Sequence, residues 1–175
     1  MKNISHTVIE DFLPREEFVK IQNMLMCADF PWYLTKTVDY SAGHELVPND
    51  YLNNFQFVHA FLLNNTICSE YYFPKLFAIL NLIKPDRLIR IKANLSTVTE
   101  KRIEHAFHTD LDEASTTSIF YVNSNDGATI LEDGTEIKSV ANRLLTFNSQ
   151  VLHKGTTCTD EKVRCLINFN YSSCI

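Results

Sequence analysis

Apolar positions follow two different periods along this chain, and the change falls near Arg87. In LPREEFVKIQNMLMC, Phe18, Ile21 and Leu25 stand at helical spacing, with Pro14 at the start and Glu16 and Glu17 in the first turn. That pattern predicts one amphipathic helix. A second is predicted within TICSEYYFPKLFAILNLIKPD, where Pro74 opens or kinks the segment, Leu76, Phe77, Leu80 and Ile83 form the buried stripe, and Pro85 stops it. The stretch between, FPWYL to FVHAFLL, reads as loops and short strands.

From Arg87 the period is two. In RLIRIKANLSTV, Ile89, Ile91, Ala93 and Leu95 point one way and Arg90, Lys92 and Asn94 the other. TSIFYVN, ATILED, TEIKSV, LLTFNSQVLH and VRCLINFNY follow, separated by polar turns such as NSNDG and Ala141-Asn142-Arg143. Short strands at regular spacing predict an antiparallel sandwich or barrel. The expected class is α+β: a helical part over about 1–86, then a β core over about 87–172, all in one domain spanning 1–175.

Composition narrows the class of function. With 175 residues, 45% hydrophobic and 21% charged, the chain is long enough to bury its own core and ordinary enough to exclude disorder. A net charge of −5 makes a nucleic-acid backbone a poor default partner. No stretch resembles a signal peptide or approaches the roughly 18 apolar residues of a membrane span, so a soluble, cytoplasmic protein is expected. Cys27, Cys68, Cys158, Cys165 and Cys174 contain no C-x-x-C pair, which speaks for idle thiols and against a disulfide framework or zinc ribbon.

The chemistry gathers on the strands. Along the last one Val163, Cys165, Ile167 and Phe169 alternate with Arg164, Leu166, Asn168 and Asn170. Such a polar face is either solvated or the lining of a pocket. His108-Thr109-Asp110 puts an imidazole and a carboxylate on one side of an extended segment, and His153 offers a distant third ligand. Two histidines and a carboxylate on one face of an octahedron mark non-haem Fe(II) oxygenases, because positions stay open for a cosubstrate and O₂. Arg164, beyond His153, carries a planar fork suited to a carboxylate of a dicarboxylic acid.

The order His-x-Asp, a distant His, then an Arg, with IFYVNSNDGATILEDG between, resembles the 2-oxoglutarate- and Fe(II)-dependent dioxygenases of the prolyl-4-hydroxylase-like branch. FPWYL, RIKANL and NRLLTF are similar, more loosely, to small phage-borne members. The resemblance implies a double-stranded β-helix (jelly roll) with N-terminal helices packed on it. It implies His108, Asp110 and His153 as iron ligands, Arg164 on the distal carboxylate of 2-oxoglutarate, and Asn94 and Tyr121 as further cosubstrate contacts. Departures fall at the secondary contacts: many relatives carry Tyr at Asn94, some carry Lys at Arg164, and Ala128 stands where a second glycine is usual. The implied activity is hydroxylation of a substrate C–H bond with release of succinate and CO₂, using Fe(II), 2-oxoglutarate and O₂, with ascorbate a candidate accessory. A peptidyl proline or another protein side chain is the leading implied substrate, with a free amino acid or other small metabolite standing nearly level with it, bound by a monomer or homodimer.

Other readings stand beside these. A non-catalytic jelly-roll module would have no use for Arg164, and a cupin-type enzyme would call for more histidines than can be assembled here. His105 reads as a neighbour of the site or a surface residue, and His6, His44 and His59 as satisfied or exposed. Asp112 and Glu113 read as a solvated loop; Trp32, Tyr33 and Tyr40 as a lid or as packing. Arg90 and Lys92 bind an anionic substrate or sit in a salt-bridged face.

Overall fold

The computed structural model describes residues 4–36, 38, 55–72, 74–111 and 113–172. Tyr40, His44, Asp112 and Cys174 lie outside them. Two antiparallel sheets face each other. The larger contains β1 (His6–Ile9), β2 (Tyr33–Thr35), β3 (Gln56–Leu63), β4 (Thr66–Ile67), β5 (Arg87–Thr97), β6 (Thr116–Tyr121), β9 (Arg143–Asn148) and β11 (Val163–Ser172), in the order β1-β9-β6-β11-β5-β3-β2 with β4 also on β3. The smaller runs β10 (His153–Gly155), β7 (Ala128–Leu131), β8 (Glu136–Lys138). This is the jelly roll that the resemblance implied. Among the described residues, the part before residue 87 supplies four of the large sheet's strands as well as two helices.

Strand alternation builds a core on each face of the large sheet. Phe120 and Val122, Leu144, and Cys165, Ile167 and Phe169 point outward with Ile91 and Ala93. The helices cover that face. In α1 (Arg15–Met26), Ile21 and Leu25 are buried as expected, and Phe18 meets the edge of Phe120 at 6.2 Å. In α2 (Phe77–Ile83) the stripe differs from the expected one: Leu76 and Ile79 are buried, whereas Phe77 faces solvent. Pro74 precedes the helix by three residues, so the helical phase starts later than the proline suggests; Lys84, in the left-handed region at φ 45°, closes it with an N–H to the Leu80 carbonyl. The opposite face turns Ile119, Tyr121, Leu145, Phe147 and Leu166 toward Leu131 and Ile137 of the small sheet.

LLTFNSQVLH, read as one strand ending at His153, is two. The Val151 N–H donates to the Asn148 carbonyl and the Gln150 N–H to Asn148 Oδ1, which turns the chain out of β9. His153 therefore opens β10 in the small sheet. Asn and Ser favour such side-chain-closed turns over continued strand.

Candidate metal centre and its pocket

The small sheet continues beyond β10 through single bridges, Glu104 to Thr156 and His108 to His153. His108 and His153 are thus cross-strand neighbours, their rings 4.5 Å apart between centroids. Each Nδ1 faces a backbone carbonyl, Ala106 at 3.3 Å and Val151 at 3.0 Å. A carbonyl only accepts, so Nδ1 holds the proton and Nε2 carries the lone pair, the atom a metal would take. Burial holds the His153 imidazole below its ordinary range against the pull of Asp110, which keeps it neutral.

Asp110 completes the group. Its Oδ2 lies 4.0 Å from His153 Nε2, and one ligand atom from each of the three residues falls within 4.8 Å of the others. The carboxylate is held from outside: Arg90 Nη2 donates to Oδ1 at 2.6 Å, while Thr117 Oγ1 and Asn170 Nδ2 donate to Oδ2 at 2.9 and 3.0 Å. Burial pushes this carboxyl up, but Arg90, His153 and Asn170 together hold it down, at about 2. Two imidazoles and one fixed carboxylate suit a divalent cation. A structural zinc site would have four protein ligands; among the described residues there are three, on one side, and the other side opens on a pocket.

That pocket, about 250 Å³, is lined by His105, His108, Asp110, Ile119, Thr129, His153 and Gly155, and by adjacent rows from β5 and β11. Arg90, Lys92, Asn94 and Ser96 form the first row; Arg164, Leu166 and Asn168 the second. Register pairs Arg164 with Ser96, Leu166 with Asn94 and Asn168 with Lys92. The polar face of the last strand is a pocket wall and not a solvated surface.

Arg164 is 6% exposed and has no acidic partner among the described residues. Nε donates to Ser139 Oγ at 2.8 Å and Nη2 to Thr129 Oγ1 at 3.2 Å, which leaves three of its five N–H donors open. Burial lowers its pKa. A buried, unpaired cation costs several kcal/mol, so the site is built for an anion. Two glycines make room: a Cβ on Gly127 would stand 2.6 Å from Arg164 Cδ, and one on Gly155 3.4 Å from Nη1.

Thr129 was not visible in the sequence as a site residue. Its Oγ1 accepts from both Tyr121 Oη, at 2.8 Å, and Arg164, so its own proton is turned elsewhere. Tyr121 does not line the pocket; it is fully buried behind Thr129, its ring 5.9 Å from the Arg164 guanidinium. Asn94 does line the pocket, and its Oδ1 is buried without a partner. His105 stands on the wall near Arg164, and burial, Arg164 and His108 lower its pKa to about 4. Arg90, expected to bind an anion or sit in a salt-bridged face, is paired with Asp110, and Asn170, on the polar face of the last strand, bonds both.

No protein-family model and no curated protein matches the sequence. Solved structures are similar in fold. A Burkholderia pseudomallei oxidoreductase of the 2-oxoglutarate-Fe(II) oxygenase family is similar over 95% of this chain and 84% of its own, at TM-score 0.68 and 12% identity. The fold is that of the 2-oxoglutarate-Fe(II) oxygenases. A Trichoplax adhaerens prolyl hydroxylase, solved with a hypoxia inducible factor peptide, is similar over 97% of this chain and 84% of its own, at TM-score 0.63 and 12% identity. The viral collagen prolyl hydroxylase of Paramecium Bursaria Chlorella virus-1, solved with 2-oxoglutarate, gives TM-score 0.56 and 15% identity over 94% of each chain. At these identities the likeness is one of fold.

The remaining expectations sort by location. His59 is buried with both ring nitrogens engaged, by the Pro31 carbonyl and Ser69 Oγ. His6 Nδ1 bonds the Ile4 carbonyl. Trp32 packs on Phe30 and donates to the Leu25 carbonyl, which is packing and not a lid, while Tyr33 is exposed. Glu113 pairs with Arg87 at the surface. Cys27 and Cys68 are exposed, Cys158 and Cys165 buried, and none of the four is bridged. No helix among the described residues is long and apolar enough to cross a membrane.

Proposed function

We propose that the protein is a 2-oxoglutarate- and Fe(II)-dependent oxygenase that hydroxylates a substrate C–H bond. One observation carries the reading: Arg164, a buried guanidinium without an acidic partner among the described residues, faces the same pocket as His108, Asp110 and His153. A non-catalytic jelly-roll module has no use for that cation.

In this reading His108 and His153 hold Fe(II) through Nε2 and Asp110 through one oxygen, with Arg90, Thr117 and Asn170 fixing the carboxylate. Arg164 and the Thr129 hydroxyl take the distal carboxylate of 2-oxoglutarate. Tyr121 acts through Thr129 as a positioning residue, and Asn94 lines the wall beside the cosubstrate. When bound, Fe(II), 2-oxoglutarate and O₂ supply the oxidation, 2-oxoglutarate leaving as succinate and CO₂. The protein's part is geometry and dryness, with Ile119 and Leu166 as apolar wall, and no side chain need be a general base. A peptidyl proline as substrate, in a soluble cytoplasmic setting, rests on analogy with the prolyl hydroxylases of this fold.

The test is spectroscopic. Anaerobic addition of Fe(II) and 2-oxoglutarate should give the weak visible charge-transfer band of a chelated keto acid, and succinate should form when O₂ is admitted. A well-folded protein that gives no band sinks the reading.

A further inference from the structure

The β5 and β11 rows end, opposite Arg164, on a second guanidinium. Arg90 lines the pocket with its side chain 23% exposed, and two of its three nitrogens are committed: Nη2 to Asp110 at 2.6 Å and Nε to Asn170 Oδ1 at 2.8 Å. Asn170 Nδ2 in turn donates to Asp110 and to Thr117. The guanidinium is therefore clamped in one plane, and Nη1 has no partner among the described residues. A preoriented fork with an open N–H₂ is the donor that recognises a carboxylate.

Charge points the same way. Among the described lining residues Asp110 is the sole carboxylate. Once it shares its charge with a divalent metal, Arg90 is undercompensated, and Arg164 has already been assigned to the cosubstrate. Beside Arg90, on the same strand face as Asn170, Asn168 is 8% exposed and its Oδ1 is buried with no hydrogen-bond partner. A buried acceptor without a donor is costly, at about 1–3 kcal/mol, and a keto diacid has no donor to offer it. The occupant next to the cosubstrate should bring an N–H or O–H.

We propose that the primary substrate is a small carboxylic acid bearing an N–H or O–H donor, with free amino acids as the plainest members. Its carboxylate binds Arg90 Nη1 and its donor group binds Asn168 Oδ1. The proposal rests on the oxygenase reading above. It departs from the peptidyl proline suggested by the fold, since an internal proline of a peptide has no free carboxylate for Arg90.

The experiment uses the full-length protein with Fe(II) and 2-oxoglutarate under anaerobic conditions, and reads the perturbation of the visible band on titration. The probes are the twenty proteinogenic L-amino acids, their methyl esters, the matched acids lacking the amine, and proline-containing peptides blocked at both ends. At least one amino acid should perturb the band and bind about tenfold or more tighter than its ester, and the preference should collapse in R90K. Asn168→Ala should instead erode the preference for the amino acid over the matched acid lacking the amine. Equal binding of acid and ester, or binding by blocked peptides alone, overturns the proposal while leaving the oxygenase reading in place. So does an R90K or R90Q protein whose loss falls on 2-oxoglutarate while the acid-over-ester ratio persists, because Arg90 would then serve the cosubstrate. If wild-type protein forms no band at all, both readings fall. The acid-to-ester comparison on wild-type protein decides the matter even if the Arg90 variants do not fold.

Discussion

His108 and His153 each donate a backbone N–H to the other's carbonyl, at 2.9 and 3.0 Å, so two residues far apart in the chain form one hydrogen-bonded antiparallel pair. Their side chains then leave the same face of the small sheet by construction. Asp110, two positions on from His108, joins them across from the large sheet, where Arg90, Thr117 and Asn170 hold its carboxylate. The proposed metal site is a seam between the sheets.

Removing the seam's carboxylate should cost metal and spare most of the fold. In Asp110→Ala the visible band with Fe(II) and 2-oxoglutarate should vanish, and calorimetric titration with Co(II) should show affinity lower by at least about a hundredfold. Far-UV circular dichroism should be unchanged, because both sheets retain their ladders.

Arg164 separates binding from stability. Arg164→Met replaces a buried cation that has no acidic partner among the described residues, and whose desolvation costs several kcal/mol, by an apolar side chain of similar reach. Thermal unfolding without ligands should therefore shift upward or not at all. The 2-oxoglutarate requirement should rise by about a hundredfold or more, with Co(II) affinity nearly unchanged; equal losses in both would show that Arg164 is not the anchor.

Gly127 is needed for space. A methyl group there would lie 2.6 Å from Arg164 Cδ and 2.8 Å from Asn125 Oδ1. Gly127→Ala should destabilise by about 1–3 kcal/mol, as overpacking does, and should weaken 2-oxoglutarate binding by displacing the guanidinium. Denaturant unfolding and ligand titration of the same variant check both effects.

Acid should destabilise the metal-free protein through its buried histidines. Burial lowers the pKa of His59, and burial with Arg164 and His108 lowers that of His105 to about 4. The unfolded chain then binds protons that the native state refuses, so the stability these groups contribute is full above the ordinary histidine range and declines as pH falls from about 6.5 toward 4. For His105 alone the loss is about 3 kcal/mol over that interval. Urea unfolding from pH 7.5 to 4 in the presence of a chelator should show the decline, and His105→Gln should flatten it.

The local chemistry was legible because it is local. Residues two apart on a strand share a face whatever the strand packs against, so Arg90, Lys92 and Asn94 could be grouped from the sequence, as could Arg164, Asn168 and Asn170. The same holds for α1, where three to four residues make a turn in any surroundings. Phe77 was misplaced because a proline marks only the neighbourhood of a helix start, and a phase error of one residue moves a side chain from core to solvent.

The order of His108, Asp110, His153 and Arg164 along the chain, and the alternation that surrounds them, were properties of the sequence by itself, since spacing and residue type are enough to nominate candidate ligands. Tertiary structure alone decided that the polar faces of β5 and β11 look inward onto a pocket, because alternation is identical for a solvated face and a lined one. It alone placed Tyr121 behind Thr129 and clamped Arg90 to Asp110. Those contacts join elements far apart in sequence, and only the closing of one sheet over the other fixes them.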